Sequence, residues 1–127
     1  MRFILLMMFF MCCPLHKAQA QKTNALISGA YLMELCKSDE AGEEQAEGAH
    51  VACQSYIAGV VDYHNLLRSL GTSPNLDICV PASASLNDLQ TIVSKYLLAN
   101  QHHYGFIAAP AVSLALFERF PCPKKKR

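Results

Sequence analysis

Tryptophan is absent from this 127-residue chain, charged residues make up only 17%, and glycine and proline stand at six each. So little glycine and proline excludes collagen-like and low-complexity character. With 52% apolar residues, the sparse charge marks a core-forming sequence, and the length leaves room for one domain. No glycine-rich loop is present to cradle a phosphate, and no serine sits in a strand-to-helix elbow. The longest unbroken apolar run covers residues 3–13, well short of the roughly 20 needed to span a bilayer.

That run has a different use. Arg2 gives a positive start, the apolar stretch fits the middle of a secretory signal, and Ala18-Gln19-Ala20 is the small-x-small pattern that a signal peptidase accepts. Cleavage is expected after Ala20, which makes residues 1–20 a signal peptide and the protein exported. A lipoprotein is disfavoured, because Phe10-Met11-Cys12-Cys13 lacks the small residue expected before a lipidated cysteine. The formal charge of the whole chain is +1. Loss of Arg2 and Lys17 leaves nine Lys and Arg against ten acids, a charge of −1, and without the tail Lys124-Lys125-Lys126-Arg127 the body stands at −5. An acidic body has no electrostatic footprint for nucleic acid. The basic tail reads as a solvated end.

Cys12 and Cys13 leave with the signal, so Cys36, Cys53, Cys79 and Cys122 remain. An even number in a small exported domain indicates disulfides. Zinc is the competing use, but no CxxC pair exists, and the only ligand-like spacing is His50 with Cys53. No metal and no cofactor are expected.

Periodicity places the helices. Ser28 is positioned to cap a short helix over 28–37 with Leu32, Leu35 and Cys36 inward. Cys53, Ile57, Val60, Val61, His64 and Leu67 recur at steps of three and four, predicting a helix over 47–70 that Gly71 and Pro74 end. Ser85 followed by Asp88 at the third helical position starts another, with Leu86, Leu89, Ile92, Val93, Tyr96 and Leu97 as its stripe, ending near Asn100. A loop over 101–109 leads to Pro110 in the first turn of a last helix, 111–120, which Pro121 and Pro123 stop. That last helix is apolar nearly all round (Val112, Leu114, Leu116, Phe117, Phe120), which suits either the bundle centre or a subunit interface. The expected fold is all-α, a compact bundle of about four helices with two intrachain disulfides. A tight hairpin brings Cys36 to Cys53, and an antiparallel pair brings Cys79 to Cys122. Each loop closed in this way contributes about 3–4 kcal/mol by chain entropy.

Candidate chemistry is thin. Paired cysteines cannot act as thiolates, His64 lies on an inner stripe where a hydrogen-bonded core or interface histidine is expected, and Asp62 has no second carboxylate poised against it. No catalytic residues are assigned, and an enzyme is not expected. Two stretches suit contact better. The acidic segment 38–48, which carries Glu43, Glu44 and Glu47, reads most simply as a solvated loop and next as a binding surface, and it lacks the alternating ligand pattern of a calcium loop. The loop Gln101-His102-His103-Tyr104-Gly105-Phe106 gathers four rings, which either fold back on the core or anchor a partner. Glu43, Glu44, Glu47, His102, His103, Tyr104 and Phe106 are therefore the candidate partner-binding residues, with Tyr104 and Phe106 as anchors.

Three blocks carry a family resemblance. Cys53-Gln54-Ser55-Tyr56-Ile57-Ala58-Gly59-Val60-Val61-Asp62 resembles a C-x-x-Y-I-x-G-V-x-D pattern. Cys79-Val80-Pro81, with Ser85-Leu86 and Ile92-Val93-Ser94-Lys95-Tyr96-Leu97, resembles a C-x-P segment and the helix after it, and Phe120-Pro121-Cys122-Pro123 resembles an FPC ending. Together they resemble the resistance-associated proteins and type VI amidase immunity proteins (Rap/Tai) of Gram-negative bacteria. The resemblance implies a small, helical, disulfide-bonded periplasmic protein, often dimeric, that blocks a peptidoglycan amidase delivered through type VI secretion. It assigns no particular inhibitory residue, because the matched blocks are scaffold; the acidic body and the short apolar run are what speak against a nucleic-acid partner and stable membrane insertion. A small periplasmic chaperone of the acid-stress kind fits the size, export and histidines but not the cysteine blocks; a lipid- or ligand-carrying helical module is a third class.

Overall fold

A computed structural model describes residues 26–123. The expected signal peptide and the basic tail 124–127 lie outside the described residues. Four α-helices follow in order: α1 (Gly29–Cys36), α2 (Ala49–Ser69), α3 (Leu86–Ala99) and α4 (Ala108–Arg119), with a 3₁₀ turn (Gln101–Gly105) between the last two. Every pair of helices is in contact, and no strand occurs among the described residues.

The helix starts follow from capping chemistry. Ser28 accepts a hydrogen bond from the Tyr31 amide at 3.2 Å and opens α1. Ser85 and Asp88 form a reciprocal capping box on α3: the Ser85 hydroxyl accepts from the Asp88 amide at 3.1 Å, and the Asp88 carboxylate accepts from the Ser85 amide at 2.9 Å. The Ser85 hydroxyl also donates to that carboxylate at 2.7 Å, and this bond, together with the one from the Ser85 amide, holds the Asp88 carboxyl below its ordinary pKa. α2 starts two residues later than its apolar pattern predicts, after Gly48 at φ 78°. At its far end, Gly71 (φ 71°) lets the Thr72 amide turn back to the Leu67 carbonyl at 2.9 Å.

α4 begins three residues before the predicted 111, so Pro110 is its third residue, where an amide hydrogen would have no partner inside the helix. It packs on the other three helices through Ala108, Ala111, Val112, Ala115 and Leu116, which settles its place at the bundle centre. Small residues on this face let the neighbours come close. The inner face of α3 is turned from the expected stripe. Leu86 is exposed, whereas Gln90 is buried because its amide donates to the Cys36 carbonyl at 2.9 Å and its oxygen accepts from Gln54 Nε2 at 2.8 Å. Gln90 thus satisfies an orphan carbonyl at the end of α1 and links α1, α2 and α3.

Both disulfides pair as expected. Cys36–Cys53 joins the end of α1 to the second turn of α2 with a Cα separation of 5.1 Å, and Cys79–Cys122 joins the flanks of α3 and α4 at 4.9 Å. Beside the second, the Cys79 amide donates to the Phe120 carbonyl at 2.8 Å and the Cys122 amide to the Asp77 carbonyl at 3.0 Å, a short antiparallel clasp. Leu32, Ile57, Val93, Leu97, Val112 and Leu116 are fully buried around Cys53. No helix among the described residues is long and apolar enough to cross a membrane.

Candidate functional site

The acidic segment is an ordered loop closed at its base by Cys36–Cys53. Asp39 Oδ1 accepts from the amides of Ala41 and Glu43, each at 2.9 Å, and the Asp39 amide donates to the Glu43 carbonyl at 2.9 Å. This is an Asx-type turn, completed by Gly42 at φ 86°. Glu44 then turns inward. Its two carboxylate oxygens accept from the Gly48 and His50 amides, both at 2.9 Å, and these bonds hold its carboxyl below the ordinary glutamate pKa, His50 contributing most. Gly48 has no side chain to cap α2, so Glu44 supplies the acceptors from four residues earlier. The His50 ring closes the base, its Nε2 lying 3.2 Å from Ser38 Oγ. Of the predicted contact carboxylates, Glu43 and Glu47 project into solvent, as does Glu40, while Glu44 caps a helix.

The ring-bearing loop divides in a similar way. Its backbone lies on the start of α1: the Gly29 amide donates to the Phe106 carbonyl at 2.9 Å, and the Ala108 amide to the Ile27 carbonyl at 2.8 Å. A β-carbon at Gly29 would strike the backbone of His103 and Tyr104, so this close approach requires glycine. His103 is half-buried with its ring 5.7 Å from that of Tyr96, and Tyr104 packs against the core. Phe106 is 68% exposed, and His102 is also exposed. Tyr104, expected as an anchor, therefore belongs to the scaffold side of this loop. The two loops leave opposite ends of α1, roughly 12 Å apart along an eight-residue helix. They form two patches rather than one.

His64 behaves as a buried structural histidine. Its Nε2 accepts from the Ile78 amide at 3.1 Å, which fixes the ring as the tautomer protonated at Nδ1. Arg68, one turn on, approaches Asp77 with Nε 3.0 Å from Oδ1, off the N–H axis, and donates from Nη1 to the Ile78 carbonyl at 3.3 Å. Together they pin the connector between α2 and α3. Asp62 is exposed on α2. Among the described residues no group of three or more His, Cys, Asp and Glu side chains could hold a metal.

Sequence reasoning missed one feature. A groove of about 580 Å³ runs between α2, the first turns of α4 and the connector, walled by Tyr56, Val60, Tyr63, Leu67, Pro74 and Pro110. Burial pushes the Tyr56 phenol above its ordinary pKa. The available signal was the apolar surplus of α2: Tyr63, Leu66 and Leu70 lie outside the inner stripe and are all more than half exposed.

A family model for Rap1a immunity proteins matches residues 28–122. No curated protein and no solved structure gives a match. The matched span begins at the cap of α1 and ends at the last disulfide cysteine, so it takes in all four helices and both candidate loops.

Proposed function

This chain belongs to the Rap1a immunity proteins, and we propose that it is a periplasmic inhibitor of a peptidoglycan amidase delivered through type VI secretion. Membership in the family carries the coarser part: a protein that neutralises a secreted effector by binding it, in a family that is not enzymatic. Export after Ala20, the periplasmic site and the amidase target are the finer part of the proposal. A second copy of the chain is a further partner in this reading.

The observation that favours direct occlusion is the construction of the acidic loop. Its base is cross-linked, its turn is held by Asp39 and its exit by Glu44, so little conformational freedom remains to be lost on binding. Glu40, Glu43 and Glu47 are left to face a basic rim, where their main effect is on the rate of encounter. Phe106 is the exposed ring suited to anchor a second contact.

The test co-expresses the exported protein with amidase effectors encoded beside it and scores survival and co-purification. Survival, with the amidase retained on the immunity protein, is expected. If no neighbouring amidase is neutralised or retained, this function is wrong although the fold stands.

A further inference from the structure

His64 has a hydrogen-bond donor that the fold does not use. The residue is only 6% exposed, and its Nε2 is taken by the Ile78 amide. The tautomer this imposes carries its proton on Nδ1, for which the described residues provide no acceptor. Nδ1 is nevertheless not sealed in the core, because the ring lines the groove of about 580 Å³ between α2 and the start of α4. A donor withdrawn from bulk water without a partner costs stability, and one that opens into a groove is served by whatever fills it.

The rest of the groove narrows what can fill it. From His64 toward Ser55 the α2 wall is Tyr63, Val60, Gly59 and Tyr56, with Pro110 opposite. The Tyr56 oxygen at that end is already served by the Ala109 amide. Among the described residues, none that lines the groove is acidic. Asp77, the carboxylate beside the His64 ring, lies on the Nε2 side at 3.5 Å and faces Arg68 at 3.0 Å. The first turn of α4 adds the positive end of a helix dipole. Gly59 keeps the passage open: a β-carbon there would meet nothing within 4 Å, although glycine in a helix interior costs backbone entropy.

The occupant therefore carries an oxygen acceptor at one end and a slender apolar body behind it. A peptide fits badly, since each of its residues would bring an amide and a carbonyl against walls that cannot bond them. We propose that this groove binds a free fatty acid, with the carboxylate accepting from His64 Nδ1–H and the chain lying along α2 past Gly59 toward Ser55. Nine residues of helix separate Ser55 from His64, about 13 Å. A saturated chain advances roughly 1.25 Å per carbon, given bonds of about 1.5 Å, so about ten carbons fill that length. Ser55 is exposed, so a longer chain runs out into water.

The site uses neither the acidic loop nor Phe106, so its test needs no effector. The purified oxidised protein, labelled with nitrogen-15, is titrated with decanoate below the concentration at which it forms micelles. One saturable site is expected, with amide shifts concentrated in residues 55–67 and 109–113. From hexanoate to decanoate the affinity should rise about two- to fourfold per added carbon, then level off once the chain passes Ser55. Decylammonium has the same chain but a head that cannot accept, and it should bind at least about tenfold more weakly, since the His64 donor stays without a partner. Gly59→Leu should fill the passage and abolish binding of decanoate. Its melting temperature should equal or exceed that of the wild type, because the added side chain meets open space and favours helix. His64→Gln, which keeps an acceptor for the Ile78 amide but has no donor at Nδ1, should erase the preference for decanoate over decylammonium. If that variant does not fold, the comparison of the two heads on the wild type decides the point. No saturable decanoate site, shifts confined to other parts of the molecule, equal binding of the two heads, or decanoate binding that survives Gly59→Leu would each overturn the proposal.

Discussion

Between Cys36 and Cys53 the chain turns on side-chain acceptors, whereas between Asn100 and Ala108 it turns by pressing backbone on backbone. In the first loop Asp39 and Glu44 bind local amides, and the other carboxylates remain in solvent. In the second, the chain lies against Gly29 and uses His103 and Tyr104 to fill space next to Tyr96 and the core. A loop supported by its own short polar residues keeps its remaining surface for a partner. One supported by its large residues keeps much less, here chiefly Phe106 and His102.

The sharpest way to break the comparison is to remove the cross-link at the base of the acidic loop. Replacing Cys36 and Cys53 together with Ala should cost about 2–5 kcal/mol in chemical unfolding. Proteolysis should then cut first within 38–48, while the clasp at Cys79–Cys122 stays closed. Gly29→Ala attacks the other loop. Its β-carbon meets backbone rather than a flexible side chain, so a loss of about 1–3 kcal/mol is expected, with the tyrosine near-ultraviolet signal altered and the acidic loop unchanged in hydrogen exchange.

A finer test concerns Glu44. Because its folded pKa is lowered, its contribution is present above the ordinary glutamate pKa and is lost as pH falls through the folded value. Amide exchange at Gly48 and His50 should therefore stay protected until the pH drops below the usual glutamate range. Glu44→Gln should accelerate exchange at these two amides already at neutral pH; equal protection in mutant and wild type would remove Glu44 from its role as cap. The smallest expected effect on stability comes from Glu43→Gln with Glu47→Gln. Their melting temperature should not move measurably, whereas association with the effector should slow and lose part of its salt dependence.

Much of the scaffold was legible because its causes are local. Ser28, Ser85 and Asp88 announce helix starts through hydrogen bonds that span three residues, and the Cys53-to-Leu67 stripe repeats at a helical period. The cysteine pairing followed once two helix ends were placed, since each bridge joins positions flanking a turn or an antiparallel pair. Legibility failed where a residue's partner is distant or where neighbours of the same type take different roles. Nothing in Glu43-Glu44 says which carboxylate turns back to α2, because that depends on where the Gly48 and His50 amides point. Gln90 reads as an exposed polar position until the Cys36 carbonyl, 54 residues away, lies beside it.

By itself, then, the sequence determined the all-α class, the helix count and the two disulfides, because capping, periodicity and loop closure act over short stretches of chain. Only the tertiary structure decided which face of each element is wet. It half-buried Tyr104 against the core and left Phe106 out, separated the two loops to opposite ends of α1, and left the Tyr63 and Leu66 side of α2 uncovered. Burial is a property of what packs against a residue, and those neighbours come from remote parts of the chain.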